Sequence, residues 1–312
     1  MSLRILVPGG AGYIGSILVP HLLSLGHEVT VLDNFMYQQA SLGHVCADPR
    51  FHMARGDIRI ESHLKPLLKS ADVIIPLAAL VGAPLCDRDP VGAETTNLEA
   101  PKRLFQMASR DQIILMPTTN SAYGSGDQDN FCDETSPLKP ISTYAKHKME
   151  VEQALLAHGN AISFRLATVF GMSPRMRLDL LVNDFTYRAV NDHFLVLFEA
   201  HFKRNYLHIR DVANVFQWGI EHIDEMKGQI YNVGLSSANL SKLELCQTIQ
   251  NYVPDLVIQQ APFHKDPDQR NYIVSNAKLE ATGWKPAHTL DTGIVELLKG
   301  FSMLRNSRYG NV

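Results

Sequence analysis

The 312 residues predict an α/β fold, a doubly wound parallel sheet with a smaller, mixed α/β region in the C-terminal part. Three observations carry that expectation. Residues 5–33 run from an apolar stretch through a glycine cluster and a helical stripe to a second apolar stretch that ends in an acid. Strand-like and helix-like segments then alternate as far as Pro117, the order that builds a parallel sheet covered by helices on both faces. After Gly171 the alternation becomes irregular.

The elements follow in order. Ile5-Leu6-Val7 is short enough for a buried strand. Gly9, Gly10, Gly12 and Gly15 come next, then Ile14, Leu18, Leu22 and Leu25 at helical spacing, with Gly26 where a C-cap belongs. Val29-Thr30-Val31-Leu32 reads as the second strand and Asp33 closes it. This is the fingerprint of a dinucleotide site. Glycines let the backbone turn tightly and approach a pyrophosphate, which then faces the positive end of the helix. Asp33 can accept hydrogen bonds from a ribose diol and would repel a 2′-phosphate, which favours NAD over NADP. The alternative is that the glycines only shape a turn. Pro20 lies inside the helix, where it should kink or disturb a turn.

Residues 34–50 are polar and irregular, residues 51–55 read as the third strand, and Asp57 follows it. Asp57 can reach an adenine amino group, or cap a helix over residues 61–69, or do both. The next strand spans residues 72–77, and the small Ala78 and Ala79 follow where backbone must pass close to a cofactor. A helix starting near Pro90 carries Asn97, Leu98, Leu104, Phe105 and Ala108, and residues 113–117 form the fifth strand.

Bulk properties narrow the function classes. A net charge of −3, from 29 basic and 32 acidic residues, gives no basic excess for nucleic acid or an anionic membrane. The apolar run at residues 73–86 is broken by Pro76, Gly82 and Pro84 and is too short to span a bilayer. Residues 5–7 already read as the first strand, so no secretory signal is expected. Cys46, Cys86, Cys132 and Cys246 are scattered without CxxC pairs, which reads as free buried thiols in a reducing cytoplasm and not as disulfides or zinc ligands. His147, His201, His208 and His264 lack metal-ligand spacing, so no metal is expected.

Chemistry begins at the end of the fifth strand, where open α/β sheets place their sites. The stretch PTTNSAYGSG, residues 117–126, leads toward a long helix carrying Tyr144 and Lys148 four residues apart. On a helix both face one side. A phenol is a poor base at neutral pH; a neighbouring ammonium and an oxidised nicotinamide favour the phenolate. Thr119 can share the hydrogen bond to the same substrate oxygen.

These blocks together resemble the extended short-chain dehydrogenase/reductases, in the nucleotide-sugar epimerase/dehydratase group. GGAGYIG (9–15), LAA (77–79), Asn97, TTNSAYG (118–124), Tyr144-x-x-x-Lys148, FRLATVFG (164–171) and RNYLHIRDVA (204–213) carry the resemblance, which covers nearly the whole chain. It implies Tyr144 as base, Lys148 as its tuner and ribose ligand, and Thr119 as hydroxyl partner. It implies an NAD site lined by Gly9, Gly12, Tyr13, Ile14, Gly15, Asp33, Asn34, Asp57, Ile58, Leu77, Ala78, Ala79, Asn97 and Thr118. Arg204 and Arg270 would hold the diphosphate of a nucleotide-diphosphate sugar, their planar forks suiting phosphate oxygens. Thr119, Asn120, Ser121, Thr168 and Asn183 would meet the substrate. A homodimer through a four-helix bundle, built on helices over residues 97–110 and 144–158, is also implied.

Departures from the family pattern inform the reaction. Thr168 stands where an Asn is common, and Pro8 and Pro76 replace the usual Thr and His. Asn120-Ser121 replaces the Asp-Glu pair of the 4,6-dehydratases, and an amide and a hydroxyl do that acid/base work poorly. The expected activity is therefore a 4-epimerase acting through a 4-keto sugar. A C4 dehydrogenase that releases the keto product uses the same residues, and dehydration or a non-catalytic NAD-binding module ranks below both.

The Rossmann-type cofactor domain is expected over residues 1–170, with returning segments near 204–235, and residues 171–312 mainly serve the substrate. Helices are expected over 178–190, 211–222 and 275–282, strands over 194–198, 229–233 and 268–274, and a capping box at Ser241 and Glu244. Asp211 reads as a helix N-cap or a structural acid, with the cap favoured. The polar tail, 305–312, is expected to fray.

Overall fold

The computed structural model describes residues 2–124, 131–261 and 270–304. The expected tail at 305–312, His264 and the start of the strand expected from 268 lie outside the described residues. Five strands open the sheet: β1 (Arg4–Pro8), β2 (Glu28–Asp33), β3 (Phe51–Arg55), β4 (Val73–Ile74) and β5 (Ile113–Thr119). With Ala161–Leu166 and Gln229–Val233 they form a seven-stranded sheet in the order β3-β2-β1-β4-β5, then those two strands, every pair parallel. The chain winds outward from β1 to β3 and crosses back to β4. The crevice therefore opens between the carboxyl ends of β1 and β4, the topological switch point.

Helix α1 (Gly15–Ser24) continues through Pro20. Its Leu18, Val19 and Leu22 are fully buried, because the stripe spaced for a helix lies on the sheet. The helix from Pro90 contains a π-helical stretch, Thr95–Glu99, between Pro90–Glu94 and Ala100–Met107. That wider turn carries Asn97 inward, to zero exposure.

The second lobe has a three-stranded sheet of Thr168–Phe170, Lys203–His208 and Asn239–Ser241, and a parallel pair of Phe194–Phe198 with Val257–Ala261. Ile273–Val274 pairs with Phe131–Cys132. The strand at 257–261 and the amphipathic helix Leu290–Phe301 are elements for which the irregular second half gave no expectation. One apolar cluster runs from Ile5 and Val29 of the main sheet to Leu195, Leu245 and Leu297, so both lobes share a core. The Ser241–Glu244 capping box forms as the spacing requires.

Two cap expectations are corrected. Asp57 does not cap the following helix, Glu61–Leu68, whose N-cap position is Ile60. Asp211 lies in the first turn of Ile209–Glu221, with His208 at the cap. Asp211 is instead a buried structural acid: it accepts hydrogen bonds from the backbone N–H groups of Ala287 and His288 and ties the last helix to this one. His208, Asp211 and His288 place their ligand atoms within 4.8 Å of one another, a grouping that sequence spacing did not show. The hydrogen bonds to Asp211 account for its carboxylate as a structural tie.

Candidate active site

A cleft of about 660 Å3 opens at the switch point. Its first wall is backbone. Gly9 follows β1 at φ +78°, and a Cβ there would lie 2.3 Å from the Ala78 nitrogen. Ala78 approaches so closely because its N–H, with that of Leu77, bonds the Pro8 carbonyl. A Cβ on Gly15 would similarly meet the Gly10 carbonyl oxygen at 2.3 Å. Asp33 accepts hydrogen bonds from the N–H groups of Ala11 (3.0 Å) and Phe35 (2.8 Å), so its carboxylate is held at the cleft edge. Burial pushes its pKa up, opposed by those two bonds. Asn34, Asp57 and Ile58 join the same wall. The Arg59 guanidinium, 2.7 Å from Asp57, holds that acid below its ordinary value.

The second wall is made of side chains. Thr119 ends β5; its hydroxyl donates to Ser121 Oγ (2.9 Å) and accepts from the Ser121 N–H (3.1 Å). Ser142 caps the helix Thr143–Leu156, whose first turns carry Tyr144 and Lys148 into the cleft. Lys148 Nζ donates to the Pro117 carbonyl (3.1 Å) and lies 6.0 Å from the centre of the Tyr144 ring. Burial pushes Lys148 down to about 8 and Tyr144 up to about 12. The expected lowering of the phenol by its lysine is not found in the protein alone, where desolvation disfavours the phenolate and raises the phenol. The cations that oppose this rise are Arg177 and Arg270.

The cleft brings together Gly9, Gly12, Tyr13, Ile14, Gly15, Asp33, Asn34, Asp57, Ile58, Leu77, Ala78, Ala79, Thr118, Thr119, Ser121, Tyr144, Lys148, Thr168, Arg204 and Arg270. Three other expected contact residues stand behind its walls, each fully buried. Asn97 clamps the backbone of Leu80, donating to its carbonyl and accepting from its N–H, both at 2.8 Å. Asn183 donates to the Tyr13 hydroxyl (3.1 Å) and accepts from the Gly171 N–H (3.0 Å). Neither amide of the Asn120 side chain, oxygen or nitrogen, has a hydrogen-bond partner among the described residues. Thr118 lines the cleft, yet its hydroxyl turns inward to Glu152 (3.1 Å), part of a buried network with Ser163 and Arg165. Arg270, expected at a diphosphate, donates to Ser121 Oγ and so stands beside the Thr119 hydroxyl. Tyr37, Arg175 and Arg177 line the cleft without having been foreseen. The only trace they leave in sequence is the Arg-Met-Arg alternation at 175–177.

The glycine cradle, which any Cβ would fill, and the acid closing β2 fit a dinucleotide, while the tyrosine–lysine pair beside it fits proton transfer at a carbon undergoing redox change. The class so defined is a nicotinamide-dependent enzyme of the short-chain dehydrogenase/reductase type. A model of the NAD dependent epimerase/dehydratase family matches residues 5–234, and the chain belongs to that family. It is an NAD-dependent enzyme of the extended type within it. The chain is similar to UDP-glucuronic acid decarboxylase 1 of Arabidopsis thaliana, at 27% identity over 315 residues, covering 96% of this chain and 70% of the relative. It is also similar to the low-salt glycan biosynthesis protein Agl12 of Haloferax volcanii, at 29% over 307 residues, covering 93% and 96%. Among solved structures, UDP-glucuronic acid 4-epimerase of Bacillus cereus, in complex with UDP-glucuronic acid and NAD, shares the fold with a TM-score of 0.86. The identity there is 21%, with 96% of this chain and 99% of that one covered. Among the described residues no helix is long and apolar enough to cross a membrane.

Proposed function

We propose that the protein is a nucleotide-sugar 4-epimerase acting through a 4-keto sugar. One observation carries the reading: Thr119, Tyr144 and Lys148 converge on the cleft, while the adjacent Asn120 and Ser121 supply no carboxylate for proton transfer at neighbouring carbons. NAD, held by the glycine turn and Asp33, would supply reversible hydride transfer at C4. Tyr144 takes the proton of the C4 hydroxyl as the phenolate and gives it back to the carbonyl oxygen. Lys148 keeps positive charge beside that phenolate, and Thr119 holds the same oxygen by a hydrogen bond. Arg204 seats the diphosphate of the sugar nucleotide, and Arg270 stands nearer the reacting end. Asn97 and Asn183 position the walls.

The similarity to UDP-glucuronic acid decarboxylases favours a second reading. A 4-keto uronic acid is a β-keto acid, and its carboxylate can leave as CO2 with no added base. Incubation with UDP-, GDP-, CDP- and dTDP-linked hexoses and uronic acids, followed by NMR of products, separates the outcomes. A C4 epimer without net NADH supports the first reading, a pentose with CO2 the second, and a 4-keto sugar with stoichiometric NADH a C4 dehydrogenase. No change in any substrate would sink the enzymatic assignment to this substrate class.

The same reading takes the protein as a cytoplasmic homodimer, in keeping with its free thiols, of which Cys86, Cys132 and Cys246 are buried as expected while Cys46 is exposed. The helices Ala100–Met107 and Thr143–Leu156 pack side by side, linked by a Lys102–Glu150 ion pair of 3.0 Å, and together offer the face for a four-helix bundle. A monomer by light scattering at micromolar concentration counts against it. Residues 1–170 with 204–235 serve the cofactor in this scheme, and 171–312 mainly the substrate.

A further inference from the structure

The segment after Gly171 is fastened across the first turn of α1. The Tyr13 hydroxyl donates to the Gly171 carbonyl (2.7 Å), and Ser173 Oγ donates to the Tyr13 carbonyl (2.8 Å). Ser16 and Ser173 share a hydrogen bond of 2.7 Å, and the Arg175 N–H reaches Ser16 Oγ at 3.3 Å. The chain is thereby stretched over the end of the helix that follows the glycine turn. Its residues then alternate: Met176 packs into the core, while Arg175 and Arg177 line the cleft.

Arg175 is 2% exposed, and its guanidinium carbon lies 3.8 Å from the centre of the Tyr37 ring. Tyr37 belongs to the loop that leaves Asp33, so this stack joins the strap to the far rim of the cleft. Arg177 is 8% exposed and pairs with Asp179 at 2.5 Å. Burial holds Arg175 below its ordinary pKa, and the Arg177 charge adds to that effect. Two buried guanidinium groups, Arg175 also donating to the Met176 carbonyl, thus line one side of a cleft whose other side is a helix N-terminus. Both features attract the same ligand, a diphosphate, which guanidinium forks bind in bidentate fashion. Tyr37 and Asp33 lie on the dinucleotide side, which sets Arg175 apart from Arg204 and Arg270, while the Arg177 charge also acts on Tyr144.

We propose that Arg175 and Arg177 form a seat for the dinucleotide's diphosphate, closed by the stack of Arg175 on Tyr37, so that the cofactor is held between the glycine turn and the strap. The inference rests on the family cofactor and not on the epimerase assignment. A held cofactor suits a reaction in which the hydride is returned, but the test reads binding alone.

The affinities of NAD, ADP and adenosine for wild type and Arg175→Met, measured by calorimetry, test it, with the NAD dissociation rate from stopped-flow displacement. Loss of one charge-assisted contact should weaken NAD and ADP by about tenfold or more and adenosine by less than about twofold. Tyr37→Ala should speed NAD release, and Tyr37→Phe, which keeps the ring, should restore the slow rate. UDP and GDP are the second arm. If Arg175→Met weakens them and spares NAD and ADP, the arginines belong to the sugar-nucleotide seat and the proposal falls. Unchanged NAD affinity and release in Arg175→Met overturns it as well. Should that variant not fold by circular dichroism, Arg175→Lys, which retains the stem and the charge but lacks the fork, is read by the same criterion.

Discussion

Along residues 9–15 the cleft wall is backbone; along residues 119–148 it is hydroxyl, phenol and ammonium. The first wall works by approach, since Gly9 brings the main chain against Ala78 with no room for a Cβ. The second works by charge, since burial has moved Tyr144 and Lys148 far from their ordinary pKa values. One wall holds and the other reacts, and damage to each should be separable.

The largest effect is expected at Tyr144. Tyr144→Phe should lower turnover about 10³-fold, within the range for loss of a general base, while the NAD dissociation constant stays within about threefold. A parallel loss of NAD affinity would break the division between the walls. Gly9→Ala tests the other side. The strained φ and the 2.3 Å approach should cost at least about 2 kcal/mol of stability and remove measurable NAD binding; a variant that binds NAD normally by calorimetry would contradict the cradle.

Lys148→Met should lower turnover about 10²-fold yet leave the protein no less stable at pH 7. Here the folded pKa, about 8, lies below the ordinary 10.5. Between those values the unfolded chain binds the extra proton, so stability rises with pH across that window. The variant should lose this rise in thermal melts taken from pH 7 to 10.5, and a rise that persists would assign it to another group. The smallest effect is expected at Asp57→Asn. Asp57 is held by the partly exposed Arg59, and pairs of that kind contribute roughly 0–1 kcal/mol. A few-fold loss of NAD affinity without change in turnover would place Asp57 on the adenine side. A larger loss would make this part of the backbone wall depend on charge too.

The contrast also explains which parts were readable in advance. The glycine turn, β2 ending in Asp33, and the i, i+4 pair on one helix face follow from local geometry, because spacing along the chain sets them. The capping box at Ser241 was legible for the same reason. Asp211 was misplaced because a first-turn acid looks alike whether it caps its own helix or binds backbone 76 residues away. Pro20 was expected to kink or disturb a turn of α1, and the helix continues through it from Gly15 to Ser24. The π turn that buries Asn97 leaves no periodicity to detect.

By itself the sequence determined the doubly wound sheet, the cofactor and the tyrosine–lysine pair, since each is encoded in residues close together along the chain. Only the tertiary structure decided that Asn97, Asn120 and Asn183 stand behind the walls, that Arg270 lies beside Thr119, and that Arg175 closes on Tyr37. These side chains come from separate segments and meet through folding. Their burial, and with it their charge, is set by neighbours distant in sequence.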